Sequence, residues 1–242
     1  MSGLRASTVA DVLRRTAARV PDRVALRFVD SSGRESEWTY AELDDAVSRA
    51  AGVLLAAGAT AGDRVAAYGK NSDAYLIGFL ACARAGLVHV PINYNLTSGE
   101  LAYLLSQSGS SVALVDPALA SRVDEVRAET SVQRVVPLRD DEKSLLAQCS
   151  SGPVPELDVA VSDDDLVQLL YTSGTTSLPK GAMMTHRALL HEYLSCLVAL
   201  DFAEDDQPLH VMPLYHSAQM HVFLLPYLMI GATNRLVEVP EP

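Results

Sequence analysis

The chain contains the stretch Leu169-Leu170-Tyr171-Thr172-Ser173-Gly174-Thr175-Thr176-Ser177-Leu178-Pro179-Lys180-Gly181-Ala182. An apolar, strand-like run enters a loop that carries five hydroxyl side chains and one glycine, and Pro-Lys-Gly closes it. Hydroxyl groups, accessible backbone N–H groups and one lysine are the partners that a polyphosphate needs. A solvated Ser/Thr loop is the alternative, but the order of strand, loop and rigid proline favours a phosphate-binding loop.

The position of the lysine distinguishes this loop from a P-loop, in which Gly-Lys-Ser/Thr opens a helix whose N-terminus receives the phosphate. Here Lys180 follows Pro179, and residues 182–186 (Ala-Met-Met-Thr-His) are typical of a short strand. We therefore predict a hairpin-like flap over a nucleotide, with the loop between two strands.

Composition and charge argue against several kinds of partner. The chain has 242 residues, 49% of them hydrophobic and 20% charged, and a formal net charge of −11. The negative charge disfavours nucleic acid and anionic membrane surfaces. The longest apolar run, residues 221–231, is about half of the roughly 20 residues that a spanning helix needs. Since the three cysteines are widely spaced, neither a disulfide framework nor a zinc site is expected, and we predict a cytoplasmic protein without a transmembrane segment.

Strand-like and helix-like segments alternate along the chain. Residues 7–19 show an amphipathic helical pattern, and two capping boxes, Thr39–Glu42 and Thr97–Glu100, predict helix starts. The helix after Thr39 runs to about Ala57, where Gly58 is a natural stop. This alternation predicts a layered α/β fold with mostly parallel sheets and flanking helices. The other predicted strands are 24–28, 64–68, 87–91, 112–115, 166–171 and 235–239, and the other helices are 72–84, 187–200 and 217–230, with a connecting loop at 150–161.

The segment 169–182 closely resembles the phosphate-binding motif of the adenylate-forming superfamily, which includes acyl-CoA synthetases, firefly luciferase and peptide-synthetase adenylation domains. Residues 38–43 (Trp-Thr-Tyr-Ala-Glu-Leu), 85–93 (Ala-Gly-Leu-Val-His-Val-Pro-Ile-Asn) and 212–216 (Met-Pro-Leu-Tyr-His) are similar to three further motifs of this family. Within the superfamily the chain looks most like the N-terminal part of a bacterial fatty-acyl-CoA synthetase.

Two of these motifs are expected to serve packing rather than chemistry. In the earlier one, Tyr40 and Leu43 face a core. In the later one, Gly86 and Pro91 fix turns.

The resemblance implies an ATP-dependent carboxylic acid–CoA ligase for a fatty or other apolar acid, which works through an acyl-adenylate. The carboxylate attacks the α-phosphorus of ATP and pyrophosphate leaves; the acyl group then passes to the thiol of coenzyme A. The protein has to neutralise two like-charged reactants and the charge that develops on the leaving group. The implied partners are the small-molecule acid, ATP and coenzyme A, and the implied metal ion is Mg²⁺.

The resemblance assigns phosphate binding to the loop. Lys180 is implied as a catalytic residue because its ammonium group can add a point charge beside the β- and γ-phosphates; a solvated surface lysine is the alternative. Thr172 matches the family position associated with Mg²⁺. The implied nucleotide-binding residues are Thr172, Ser173, Gly174, Thr175, Thr176, Ser177 and Lys180.

The motif at 212–216 implies an acid site. The family's histidine at this position lines the acyl and adenylate pocket, so His216 is implied as a catalytic and substrate-binding residue; a capping or core histidine is the alternative. Met220, His221 and Leu224 on the following helix are candidates for the lining of an acyl tunnel, and a plain core helix accounts for them equally well.

Two features leave other functions open. Ser177 stands where the family usually has glycine, and a non-glycine residue in a left-handed conformation costs roughly 1–2 kcal/mol. The family's adenine-binding Tyr-Gly-x-Thr-Glu segment, ribose-binding aspartate and C-terminal domain with its catalytic lysine are not in this sequence. We therefore expect residues 1–242 to be the N-terminal part of the large domain of a longer ligase, for which an oligomer is compatible with the sequence. The alternatives are a homologue that only transfers acyl groups from acyl-AMP to coenzyme A, and a non-catalytic module that completes a partner chain.

Overall fold

The computed structural model describes residues 7–172 and 178–238, and within these ranges it contains eight α-helices and ten β-strands. The helices are α1 (Val9–Arg19), α2 (Tyr40–Ala56), α3 (Asp73–Arg84), α4 (Ser98–Ser108), α5 (Ala120–Val126), α6 (Leu145–Cys149), α7 (His186–Ala199) and α8 (Leu225–Ile230). The strands are β1 (Val24–Val29), β2 (Glu35–Thr39), β3 (Arg64–Tyr68), β4 (Val88–Ile92), β5 (Val112–Val115), β6 (Arg134–Pro137), β7 (Leu166–Thr172), β8 (Lys180–Thr185), β9 (Leu209–His210) and β10 (Asn234–Val237). A π-helix, Ala218–Leu224, runs directly into α8.

The strands form two sheets. Six strands lie in the order β6-β5-β3-β4-β7-β8, and four lie in the order β2-β1-β10-β9. In the larger sheet all neighbours are parallel except β7 and β8, which are antiparallel. In the smaller sheet β1 is antiparallel to β2 and parallel to β10, which is parallel to β9. The predicted layered α/β fold with mostly parallel sheets is thereby confirmed.

Local sequence signals set the starts of two helices. The Thr39 backbone N–H donates to the Glu42 carboxylate at 2.9 Å, and the Glu42 N–H donates back to the Thr39 hydroxyl. The equivalent bond from the Thr97 N–H to Glu100 opens α4 at 2.8 Å. Both predicted capping boxes are therefore confirmed. Gly58 follows α2 with a φ of 93°, a conformation that glycine reaches without steric cost.

The larger sheet is buried on both faces. Alternate residues of β3 show this, because Val65 and Ala67 belong to one apolar cluster and Ala66 and Tyr68 to the other. The first cluster also contains residues of α1, α2, α3 and the smaller sheet, and includes Tyr40 and Leu43 as predicted; the second contains residues of α4 and α5. α3 is buried from Asp73 to Ala83, as expected for a helix that is packed on all sides.

Several elements differ from expectation. Strand β2 was not predicted, because its Glu-Ser-Glu-Trp-Thr sequence is polar. Such a sequence is typical of an edge strand, and the residues of β2 are half-buried or exposed. The strands β6 and β9 and the helices α5 and α6 were also not predicted. The segment 217–230 is helical as expected, but its first half has π geometry.

The prediction that Pro91 fixes a turn is wrong, because Pro91 lies inside β4 opposite Ala67. The Val88 N–H donates to Asp63 on the β3 side, so by alternation the missing N–H of Pro91 is on the β7 side. There β4 pairs with β7 at a single position, His89 with Gln168, and proline interrupts no hydrogen-bond ladder. Gly86, by contrast, has a φ of 66° and does form a turn.

None of the helices within 7–172 and 178–238 has the length and apolar content that crossing a membrane requires.

Candidate active site

The predicted phosphate loop leaves the sheet from the β7–β8 hairpin. Thr172 and Lys180 are directly opposite each other as the last pair of the two strands, and both are exposed. Cross-strand partners point to the same face of a sheet, so the hydroxyl and the ammonium group lie on one side of the hairpin. The prediction that the loop joins two strands is confirmed. Residues Ser173, Gly174, Thr175, Thr176 and Ser177 lie outside the described residues, and their phosphate contacts stay a prediction.

The hairpin brings this pair to the carboxyl edge of the parallel strands. β7 lies beside β4, and the chain leaves β4 towards Tyr94 and Asn95 at the same edge. In open α/β sheets, ligands bind in the crevice outside the carboxyl ends of the strands. The Tyr94 ring meets the Tyr215 ring edge-to-face, with centroids 5.3 Å apart, so the 212–216 motif lies at this edge as well.

A buried asparagine holds the 212–216 segment in place. Asn71 follows β3 at the carboxyl edge, and its amide donates to the Met212 carbonyl at 3.0 Å and to the Val237 carbonyl at 3.1 Å. Its side-chain oxygen accepts the Leu214 N–H at 2.7 Å. Asn71 therefore ties the end of β3 in the larger sheet to the end of β10 in the smaller one, with the motif between them.

A glutamine from the π-helix supports the same segment. Gln219 accepts the Met212 N–H at 3.0 Å, and its amide nitrogen is 2.7 Å from Nδ1 of His210. The other ring nitrogen of His210 contacts the side-chain oxygen of Asn234 at 2.9 Å. Because His210 is buried, the pKa of its imidazole falls to about 4, and the ring stays neutral. The backbone before His216 is thus held from both sides.

His216 itself is exposed at the end of this supported segment. Its ring lies 4.6 Å from the Tyr215 ring, and it makes no side-chain hydrogen bond with the described residues. Its backbone N–H donates to Pro213, and its carbonyl accepts the Met220 N–H in the turn that leads into the π-helix. The imidazole is therefore free to meet a ligand at the carboxyl edge, as a substrate-binding role requires.

Met220, His221 and Leu224 occupy the interior in this structure. All three side chains are buried, and both ring nitrogens of His221 are engaged. The Tyr193 hydroxyl donates to Nδ1 at 2.9 Å, and Nε2–H donates to the Gln168 side-chain oxygen at 2.9 Å. Burial lowers the pKa of His221 to about 3. Direct contact of Met220 and His221 with the acid stays a prediction, since neither is exposed here.

π-Helical turns within longer helices occur frequently at functional sites. The π-helix here lies immediately after the exposed His216 and carries both Gln219 and His221 inward. The π-helix therefore lies between the exposed His216 and the buried network of Gln219 and His221.

Comparison with protein-family models gives a match to the AMP-binding enzyme model over residues 13–242. The chain belongs to the AMP-binding enzyme family. A feruloyl-CoA synthase of Amycolatopsis is 40% identical over 204 residues, which is 84% of this chain and 40% of that protein. The long-chain-fatty-acid–CoA ligase FadD13 of Mycobacterium tuberculosis is 33% identical over 203 residues, with the same coverage of 84% and 40%.

Solved structures agree with this AMP-binding enzyme assignment. The inhibitor-bound N-terminal domain of FACL13 from Mycobacterium tuberculosis superposes with a TM-score of 0.85 at 30% identity, covering 97% of this chain and 58% of that one. The resemblance to the adenylate-forming superfamily is confirmed, and the named relatives are CoA ligases and synthases. The chain spans 40% of the length of the two curated relatives.

Two supporting residues of this site were missed in the sequence. Asn71 had a usable signal, because a polar residue in the loop after a buried parallel strand lies at the carboxyl edge of the sheet, where ligands bind. Gln219 had none, since its bond to Met212 depends on the π-helical turn that directs it.

Proposed function

We propose that this chain forms the phosphate- and acid-binding part of an ATP-dependent carboxylic acid–CoA ligase that acts on a fatty or other apolar acid. A carboxylate oxygen forms a bond to the α-phosphorus of ATP while the bond to pyrophosphate breaks. The thiol of coenzyme A then takes the acyl group and AMP leaves. Residues 1–242 correspond in this proposal to the N-terminal part of the large domain, in a cytoplasmic enzyme.

The observation that carries the proposal is the opposed Thr172–Lys180 pair at the stem of a hydroxyl-rich loop, on the carboxyl edge of the sheet. Lys180 places a positive charge where the β- and γ-phosphates enter. Loop residues Ser173 to Ser177 supply hydroxyl and backbone donors. The cluster neutralises charge on the leaving pyrophosphate, which is the main electrostatic demand of the first step.

Magnesium fits this site as an ion held chiefly by the nucleotide. Mg²⁺ is usually bound through one or two protein oxygens, several waters and substrate phosphates. The exposed Thr172 hydroxyl offers one such oxygen, and no group of three or more metal-binding side chains occurs among the described residues. Bound Mg²⁺ would lower the negative charge of the phosphates beside Lys180.

The acid side of the site is formed by His216, with Tyr215 packed against it. One relative is named for a feruloyl group and another for long-chain fatty acids, so aromatic and aliphatic apolar acids are both candidates. Met220 and His221 are placed to line the acid only if the π-helix shifts, because both are buried here.

The proposal is tested by calorimetric titration of the 242-residue chain with MgATP and with a non-hydrolysable acyl-adenylate analogue. Lys180→Ala is expected to weaken MgATP binding about tenfold or more, because a charge-assisted contact is lost. Binding of the acyl-adenylate analogue should not change, since it has no β- or γ-phosphate. Lys143→Ala, which removes another exposed lysine, is the control.

Equal losses for both ligands in Lys180→Ala would show a structural lysine and contradict the proposal. Binding of the analogue without MgATP binding, in the parent chain and in Ser177→Gly, would favour the homologue that only transfers acyl groups. We expect the 242-residue chain alone to form no acyl-CoA. Positioning of both reactants lowers the reaction barrier by many kcal/mol, and the family's adenine-binding segment and catalytic lysine, which would provide it, are not among residues 1–242. Rapid acyl-CoA formation would overturn this expectation.

A further inference from the structure

Helix α4 contacts the stem of the phosphate loop on both strands, just before and just after the loop. Tyr103 donates from its hydroxyl to the carbonyl of Pro179 at 3.2 Å, just after the loop. Gln107 accepts from the hydroxyl of Tyr171, just before the loop. Tyr103 and Gln107 are four residues apart and therefore neighbours on one face of the helix. One rigid element thus holds both strands that carry the loop.

The Tyr171 ring extends this contact across the hairpin. Tyr171 is paired directly with Gly181, and a Cβ atom at Gly181 would be only 3.3 Å from Cζ of Tyr171. The ring therefore lies over β8 at a position where a side chain would push it away. Thr172 and Lys180 are the next pair along, and their side chains point to the opposite face.

β8 needs such external support. It is the terminal strand of the larger sheet and pairs with β7 alone among the described residues. Lys180, Ala182 and Met183 are exposed, so few apolar contacts hold this strand. Bonds from α4 to either side of the loop limit the relative movement of the two strands.

We infer that Tyr103 and Gln107 are positioning residues for adenylation: α4 holds the loop stem so that the Lys180 ammonium and the Thr172 hydroxyl meet the nucleotide phosphates. The inference rests on the proposed function of the loop. Pre-ordering the stem reduces the conformational entropy that phosphate binding would otherwise lose. In this inference neither residue has to touch the nucleotide, because each bonds to one of the two strands that carry the loop.

The first test needs no nucleotide. Amide hydrogen exchange of residues 169–171 and 180–182 is measured by NMR in the parent chain, Tyr103→Phe and Gln107→Met. Each variant removes one hydrogen-bonding group with little change in volume. Faster exchange at the stem, with unchanged exchange in α2 and α3, is expected. Tyr227→Phe is the control, because it removes a hydroxyl group that donates to Asp206, away from the loop.

The second test uses inorganic tripolyphosphate with Mg²⁺ as the probe. Tyr103→Phe and Gln107→Met are each expected to weaken its binding about threefold to tenfold, as one neutral hydrogen bond is lost. The double variant Tyr171→Phe/Gln107→Met should weaken tripolyphosphate binding no more than Tyr171→Phe alone or Gln107→Met alone. Each of the two substitutions removes the same hydrogen bond. In a Lys180→Ala background the effect of Tyr103→Phe should be clearly smaller, since the stem then positions the Thr172 hydroxyl but no longer the Lys180 ammonium.

Unchanged stem exchange in both variants would overturn the inference, whatever the tripolyphosphate result. A full effect of Tyr103→Phe that persists without Lys180 would also overturn it, because a merely structural role would then explain the loss. If the parent chain binds no tripolyphosphate, the proposed phosphate site fails, and the exchange measurement still decides whether α4 holds the stem.

Discussion

At the scale of single residues, buried side-chain amides hold the backbone that carries the exposed His216. Asn71 uses two donor bonds and one acceptor bond to join three backbone segments while only 4% exposed. A buried polar group that loses its partner costs roughly 1–3 kcal/mol, so each of these bonds matters to the position of His216. An exposed histidine can only be oriented if the backbone beneath it is fixed.

Asn71→Asp tests this dependence. Aspartate keeps the acceptor oxygen but loses both donor bonds and adds a buried charge, so we expect the free energy of unfolding to fall by about 2–4 kcal/mol. Urea unfolding gives the value, and the NMR shift of the His216 ring reports its displacement. Asn93→Asp is the control, because among residues 7–172 and 178–238 the Asn93 side chain bonds only through its acceptor oxygen, towards the Asn95 N–H. Similar losses in the two variants would argue against a special role for Asn71.

At the scale of elements, α4 is capped by residues next to it in the chain, and it also contacts the β7–β8 hairpin, which is distant in sequence. Its capping box satisfies the first-turn donors at Thr97 and Glu100, and Gly109 ends it with a φ of 62°. A Cβ atom at Gly109 would also be 2.9 Å from the Arg64 guanidinium. The helix is therefore well defined at both ends before it contacts the hairpin.

Thr97→Ala should lower the free energy of unfolding by about 1 kcal/mol, the usual cost of losing an N-cap. The Glu100 carboxylate keeps the bond from the Thr97 backbone N–H, the main cause of its lowered pKa, and loses the bond from the Thr97 hydroxyl, which also lowers that pKa. Thr97→Ser retains the oxygen and should lose less than half as much. Guanidinium unfolding monitored by circular dichroism measures both. A loss in Thr97→Ser as large as in Thr97→Ala would show that the methyl group, not the cap, matters.

At the scale of the whole molecule, the interior holds four neutral imidazoles. Burial lowers the pKa of His89 and His221 to about 3 and of His186 and His210 to about 4. The Nδ1 atom of His186 accepts the Val9 N–H at 3.0 Å, which a proton on that nitrogen would abolish. These rings link α1, α7, the π-helix and both sheets, so their protonation bears on the entire fold.

The chain is expected to lose stability as the pH falls from about 6.5 towards 4. An unfolded histidine takes up a proton near pH 6.5, whereas these folded ones resist until pH 3 to 4. Each depressed pKa therefore contributes stability above pH 6.5 that is lost as the pH falls, at about 1.4 kcal/mol per pH unit. Four such groups together should cost several kcal/mol by pH 5, a large share of the stability of a typical domain. Urea unfolding at pH 7.5, 6 and 5 measures this; equal stabilities at the three values would contradict it.

The sequence by itself determined the helix starts, one helix end, the hairpin and the order of strands and helices, because these depend on local interactions. The capping boxes, the Gly58 stop and the hydroxyl-rich hairpin depend on neighbours in the chain, and the alternation of strands and helices followed from their patterns. Tertiary structure alone decided the inward turn of His221 and the anchoring role of Asn71. Both depend on partners distant in sequence: Gln168 lies 53 residues from His221, and Met212 lies 141 residues from Asn71. The free energy of such contacts appears only when the segments meet, and no local pattern encodes it.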